Sequence, residues 1–411
     1  MDLCVMLEKK PMNPTTVILA GLMVLGAAGL RGATPPGSFG DDVAFLRQHT
    51  QPVVLSDKSG TAKVVVVPAW QGRIMTSTAR GDQGTSFGWV NRDLIAAGKF
   101  QPHINVFGGE DRFWLGPEGG QFSIFFAPGA KFDLEHWFTP AAMDTEPFAV
   151  VRQSRDRVLC HRLIQLTNYS GTRLELSVDR EIRLVDPADA LARLGAKLPA
   201  GVKSVGVESV NTIKNTGSQP WQKDTGLFSI WILGMFNASP RTAVVIPFTP
   251  GSAAERGPIA NDSYFGKVPG DRLLVKDQVL FFRADANCRS KIGIPPRRAR
   301  SVLGSYDPAT RTLTIVQFTL PPGVTDYVNS MWELQKEPFG GDAVNSYNDN
   351  GKMGQFYELE SSSPALALKA GAAATHTHQT LHLQGGEKQL DPVARAVFNV
   401  GLKEISSAFA R

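Results

Sequence analysis

The chain has 411 residues, a net charge of +5, 42% hydrophobic residues and 23 phenylalanines. That is ample apolar material for a large core, and it excludes a disordered or low-complexity chain. So small a charge excess, with no basic cluster longer than Pro295-Pro-Arg-Arg-Ala-Arg300, argues against a nucleic-acid partner.

Lys9 and Lys10 precede an apolar run, Thr15 to Leu30, that ends in Arg31-Gly-Ala33. The run is shorter than the roughly twenty residues that span a bilayer, so it predicts a secretory signal peptide over residues 1–33, cleaved after Ala33. An uncleaved anchor is the alternative, and Met12 is a second candidate start. The expected location is secreted or periplasmic, with a mature chain that is not membrane-embedded. No cysteine follows the run to carry a lipid, and Cys4 would leave with the leader. Cys160 and Cys288 remain, either as a single disulfide or as two buried thiols.

Residues 34–60 read as an N-terminal extension with a short helix over Asp41 to His49. Residues 61–385 are dominated by strands. Lys63 to Val67, Gln121 to Phe126, Arg157 to Leu166, Arg173 to Leu184, Leu227 to Leu233, Thr242 to Phe248, Gln278 to Phe282, Thr312 to Leu320 and His376 to Leu383 are β-branched or aromatic runs. Alternation is clearest in Arg173 to Leu184, which predicts one face in a core and one in solvent. Tyr306 to Thr312 is a turn with Asp307-Pro308 at its start, which implies a hairpin and antiparallel pairing. Residues 386–411 predict a C-terminal helix packed on the sheets, with Asp391 as N-cap and Pro392 at its first position. Many strands without alternating helices favour an all-β, large antiparallel sandwich over a doubly wound sheet.

Chemistry concentrates in His103 to Gly120, which holds His103, Asn105, Glu110, Asp111, Arg112, Trp114, Glu118 and five glycines. The glycines would let backbone approach a ligand, and a flat indole beside carboxylates suits a sugar. A second cluster runs from Tyr327 to Gly351. As a strand, Tyr327 to Leu334 would put Asn329 and Glu333 on one face and Trp332 on the other. Asn345, Tyr347, Asn348 and Asp349 would follow in a binding loop, unless Asn and Asp serve only as turn formers there. Asp342, Asn345, Asn348, Asp349 and Glu333 could also supply oxygen ligands to Ca²⁺, although their spacing is not that of an EF-hand. His376 and His378 alternate on one strand face, a pair with no neighbouring carboxylate in sequence to complete a metal site. Cofactor-free chemistry is therefore the primary expectation.

Three elements in order resemble a known family: Gly108 to Glu118 (Gly-Gly-x-x-Arg-Phe-Trp-x-x-Pro-Glu), Asn215 to Trp221 (Asn-Thr-Gly-x-x-Pro-Trp), and a late Tyr-Glu-Leu-Glu strand. That strand is followed by Ser363 to Gly371 and by Thr375-His-Thr-His378. Together they resemble the galactose mutarotase-like superfamily, which includes the aldose 1-epimerases, over residues 60 to 385, and more closely its uncharacterised secreted branches. The resemblance implies a β-supersandwich with a mono- or oligosaccharide site on a concave face. It also implies a late glutamate as base on the anomeric hydroxyl and a middle histidine as acid at the ring oxygen. Opening a hemiacetal needs both, one proton leaving O1 as another reaches O5.

Matched on Leu359-Glu360, the base is Glu360, with Glu358 the alternative on the same strand face. The histidine has no counterpart, because none occurs between His161 and His376. His103 is the leading substitute, ahead of His136, His376 and His378, and Glu333 is a further catalytic candidate. Three function classes follow: a mutarotase-like isomerase, a polysaccharide hydrolase or lyase using carboxylates such as Glu118 and Glu333, and a non-catalytic glycan-binding protein. Asn105, Glu110, Asp111, Arg112, Trp114, Glu118, Asn329, Trp332, Asn345 and Tyr347 are the expected binding residues.

Overall fold

Strand side chains point to opposite faces at successive positions, so each apolar stripe has to find a second layer to bury it. A computed structural model of the protein describes residues 37–410, and the predicted leader lies outside the described residues. The first strands, β1 (Val53–Ser56), β2 (Lys63–Val67) and β3 (Arg73–Thr78), form a small sheet. Next come β4 (Arg112–Gly116), β5 (Ala149–Gln153), β6 (Arg157–Thr167), β7 (Arg173–Val185), β8 (Lys203–Asn215) and β9 (Ser229–Asn237). They are followed by β10 (Ala243–Pro247), β11 (Leu273–Lys276), β12 (Val279–Arg283), β13 (Ser290–Ile294) and β14 (Val302–Asp307). The last four are β15 (Thr312–Phe318), β16 (Val344–Asn348), β17 (Phe356–Ser362) and β18 (Ala373–Gln384).

Two large sheets result. One has ten strands in the order β11-β12-β10-β14-β15-β18-β8-β7-β6-β5, the other five in the order β13-β16-β17-β9-β4. Every pairing within them is antiparallel. Phe113, Leu115, Ile230 and Ile232 of the smaller sheet meet Val158, Ile164, Leu176, Val178 and Ile213 of the larger. Further along, Ile292, Ile294 and Leu359 meet Val244, Ile246, Leu280, Phe282 and Val316. Each such fully buried side chain contributes about 1.5–3 kcal/mol. The fold is thus the large all-β antiparallel sandwich that the strand pattern predicts, in the supersandwich form that the resemblance implies. Leu390, Val393, Val397 and Phe398 cover the outer face of the larger sheet, against Leu313, Ile315, Leu381 and Leu383. Among the described residues, no helix is long and apolar enough to cross a membrane.

Most strand expectations hold, and the departures have local causes. Gln121 to Phe126 is not a strand, because Ser123 closes a turn onto the Gly120 carbonyl and its hydroxyl accepts from the Phe125 amide at 3.0 Å. Tyr327 to Leu334 is irregular, with the Asn329 side chain capping the Met331 amide at 3.0 Å. Conversely, the Asn-rich segment expected as a loop forms β16, where all five residues are buried.

The C-terminal helix is two helices, Glu387–Phe398 and Leu402–Ser407, separated by Asn399 in the left-handed conformation. Pro392 lies inside the first helix. Asp391 does not cap it, but accepts from the Leu402 amide at 2.8 Å and so caps the second. Cys160 and Cys288 are both free thiols.

Candidate functional site

The face of the smaller sheet turned away from the larger one carries the concentrated chemistry. Alternation puts Phe113 and Leu115 of β4 into the core and Arg112 and Trp114 on the opposite face. The same holds for Trp231, Leu233 and Met235 on β9, Glu358 on β17, Tyr347 on β16 and Lys291 on β13. Register brings them together: Trp114 pairs with Trp231, Arg112 with Leu233, Met235 with Glu358, Glu358 with Tyr347, and Tyr347 with Lys291. Glu360, opposite Leu233 and Asn345, lies in the same stripe.

These residues floor a cavity of about 350 Å³, within the range of small-molecule sites (roughly 300–1,000 Å³). Loops raise its walls. The segment between β4 and β5 supplies Leu134 and Trp137, the one before β16 supplies Trp332, and the turn from β16 to β17 supplies Asn350, Lys352 and Met353. Trp137 and Trp332 stack with centroids 5.8 Å apart, and Trp114 meets Trp231 edge-on at 5.5 Å. Such amphipathic rings suit the C–H face of a sugar, with polar groups left for its hydroxyls.

Ionisable groups are arranged in pairs on the floor. Arg112 lies over the Trp114 ring at 4.2 Å and donates to Glu358 Oε1 at 3.3 Å. Glu360 is fully buried, and its Oε2 accepts from the Trp231 indole at 2.8 Å and from Lys291 Nζ at 3.0 Å. Several buried polar atoms at this face have no protein partner: Arg112 Nε and Nη1, the Trp114 and Trp137 indole N–H groups, and Glu360 Oε1. Such atoms cost free energy unless water or a ligand meets them. Burial, reinforced by the Glu360 charge and opposed by Arg112 and Lys291, pushes the Glu358 carboxyl up to about 8. Burial, with Glu360 adding to it, also raises Glu118 above its ordinary value, against Lys291 and the Trp332 indole.

Of the residues expected from sequence, Arg112, Trp114, Glu118, Trp332 and Tyr347 line this cavity, with Glu360 set into its floor. Others are placed differently. His103 donates from Nδ1 to the Trp137 carbonyl at 2.6 Å and stacks on Phe138, so it braces the wall rather than facing the cavity. Asn105 is bonded to Asp144, and Glu110 accepts from His382 Nε2 at 2.6 Å. Asp111 pairs with buried Arg180 and accepts from the Ser209 hydroxyl at 2.7 Å.

Asn329 serves its own loop, Asn345 donates to the Ile292 carbonyl at 3.3 Å, and Glu333 is exposed outside the cavity. His136 pairs with Asp133 at 2.6 Å. His376 and His378 share the Ser361 hydroxyl at 2.8 Å each, and burial lowers them to about 3 and about 4, so both are neutral at ordinary pH.

The Ca²⁺ expectation fails on the same kind of evidence. Asp342 accepts from Asn261 at 2.8 Å and the Tyr264 hydroxyl at 2.9 Å, Asp349 accepts from the Tyr347 hydroxyl at 2.7 Å, and Asn348 Oδ1 accepts from the Ala286 amide at 2.9 Å. Among the described residues no group of three or more His, Cys, Asp or Glu could hold a metal ion.

The glycines also have a different use from the one expected. A Cβ on Gly108, whose φ is +93°, would stand 2.1 Å from the Trp89 carbonyl oxygen, and one on Gly119 would stand 2.3 Å from that of Met331. The close approach is to the protein's own backbone. Gly108→Ala should therefore lose roughly 1–3 kcal/mol from backbone strain, plus the clash. Thermal unfolding would reveal it, and an unchanged midpoint would contradict this assignment.

Sequence reasoning missed Lys291, Trp231, Trp137, Arg289 and Lys352, all of which line the cavity. A signal existed for Lys291, a lone charge in the otherwise uncharged strand Ser-Lys-Ile-Gly-Ile. Nothing local marked Trp137, since its role depends on a loop folding over a distant sheet.

A search of curated proteins found no match. Among solved structures, the chain is similar to a protein of Synechocystis sp. PCC 6803, at 14% identity and a TM-score of 0.49, covering 82% of this chain and 96% of that one. It is also similar to a galactose mutarotase-like protein of Lactobacillus casei ATCC 334, at 12% identity and a TM-score of 0.46, covering 81% and 100%. A galactose mutarotase related enzyme of Lactobacillus acidophilus matches at 10% identity and a TM-score of 0.45, covering 81% and 97%. A family model matches residues 37–409, and the chain accordingly belongs to the family of unknown function DUF6786.

Proposed function

We propose that the cavity binds a sugar ring and that Glu358 and Glu118 move protons at its anomeric centre, which makes the protein a sugar isomerase of the mutarotase type. One observation carries this reading: two carboxyls whose burial raises their proton affinity line a single cavity walled by four tryptophans. In the proposed step, the Glu358 carboxyl gives its proton to the ring oxygen O5 as the C1–O5 bond breaks. The Glu118 carboxylate takes the proton of the O1 hydroxyl as C1=O1 forms. Rotation about C1–C2 and the reverse transfers close the ring as the other anomer. Lys291, held on the carboxylate of Glu360, and Arg112 with its open N–H groups present donors for the remaining hydroxyls.

The second reading is a non-catalytic glycan-binding protein. It is favoured by the make-up of the cavity, since no histidine is among its described lining residues. Freshly dissolved α-anomers of glucose and galactose, followed by the H1 signals in proton NMR, separate the two. Anomerisation faster than in buffer supports the isomerase. Line broadening with an unchanged rate supports binding alone, and new reducing ends from oligosaccharides would point to hydrolysis.

A further inference from the structure

We infer that the cavity is built for a sugar bearing a carboxylate, a uronic acid, whose anionic group is received by Arg112. The inference rests on the sugar-site reading above and goes beyond it in naming the ligand's charge. Arg112 is 3% exposed, yet its Nε and Nη1 have no partner in the protein, and only Nη2 reaches Glu358, at a long 3.3 Å. Nη2 carries a second hydrogen, and together with the open N–H beside it, from Nε or from Nη1, it makes the two-pronged edge that matches a carboxylate.

The neighbouring acid does little to neutralise it, because burial keeps the Glu358 carboxyl protonated over much of the neutral range. A buried cation beside a largely neutral carboxyl is costly, and a ligand carboxylate would offset that cost. Lys291, the other floor cation, has its charge already matched by Glu360.

The mouth has the same sign. Arg289 and Lys352 line it, both are exposed, and neither makes an ion pair among the described residues. Arg289 instead lies over the Phe265 ring at 3.9 Å. The acid on this side of the cavity, Asp349, is fully buried and accepts from the Tyr347 hydroxyl and from the Met353 amide. An anion approaching the opening therefore meets two cations without ion-pair partners before it reaches Arg112, an arrangement that speeds encounter and weakens as salt rises. A carboxylate fits better than a phosphate, because a dianion with three acceptor oxygens would call for more open donors than one guanidinium offers on this floor.

Calorimetric titration of the wild-type protein with glucuronate, its neutral methyl ester, glucose and glucose 6-phosphate tests the inference. Glucuronate should bind at least about tenfold more tightly than its methyl ester and than glucose, the worth of one charge-assisted bidentate contact. That advantage should shrink in R112K, which keeps the charge and loses the fork, and with added salt. Equal affinity for glucuronate and its ester would overturn the inference while leaving a sugar site intact. Tighter binding of glucose 6-phosphate than of glucuronate would overturn the choice of carboxylate. If none of the sugars binds, the sugar-site reading itself falls, and this inference with it.

Discussion

Glu358→Gln should cut anomerisation by about 100-fold or more, the usual contribution of a positioned general acid or base, while the protein still folds and binds sugar. Glutamine keeps the size of the side chain and can still face Arg112, but it has no acidic proton to transfer. The wild-type pH profile gives a second reading of the same group. Burial raises the Glu358 carboxyl to about 8, so the form that can donate a proton is full below that value and is lost as pH rises through it. Activity should therefore fall on the alkaline side near pH 8, and no such limb should remain in the residual rate of the glutamine variant. A glutamine variant as fast as wild type, with an unchanged profile, would remove Glu358 from the chemistry.

The largest effect on stability should come one residue before the cavity. Arg180 of β7 is fully buried and donates from Nε to the Gly72 carbonyl at 3.1 Å, from Nη1 to Asn211 at 2.6 Å, and from Nη2 to the Asp111 carbonyl at 3.0 Å as well as to its carboxylate. These bonds tie three parts of the chain to the start of β4, and so fix where Arg112 and Trp114 point. Asp111→Ala would leave the guanidinium charge buried without its counter-ion, which costs about 3–5 kcal/mol. Urea unfolding should show a loss of that size, accompanied by weaker sugar binding because β4 loses its anchor. A loss below about 1 kcal/mol would mean that Arg180 finds compensation elsewhere.

Much of this architecture was legible because it is local. Alternation in Arg173 to Leu184 and the Asp307 turn predict β7 and the β14–β15 hairpin, and the Asp307 side chain does accept from the Ala309 amide at 2.9 Å. Alternation also explains why Arg112 and Trp114 emerge on one face. What it cannot tell is which polar residues of a dense window face a ligand and which face the interior. Asp111 and Arg112 are neighbours, so a strand sends them opposite ways, one to Arg180 and the other into the cavity.

His103 looked like a catalytic acid for its residue type, but the loop that carries it uses the imidazole to hold Trp137 in place. Resemblance alone favours Glu360 over Glu358. Burial separates the two: Glu358 lines the cavity, and Glu360 lies beneath it, held by Lys291 and Trp231. Lys291 and Trp137 depend on strand order and loop packing, which no window of sequence contains.

The indole N–H signals of the seven tryptophans offer a direct readout of where a sugar sits. Trp114, Trp137, Trp231 and Trp332 line the cavity, whereas Trp70 stacks on Phe107 and Trp221 packs on Phe228, both outside it. In ¹⁵N-resolved spectra of the wild-type protein titrated with glucuronate and glucose, the resonances of Trp114, Trp137 and Trp332 should move while those of Trp70 and Trp221 stay in place. Sugar-induced shifts confined to Trp70 and Trp221, or no shift with either sugar, would contradict a sugar site in this cavity.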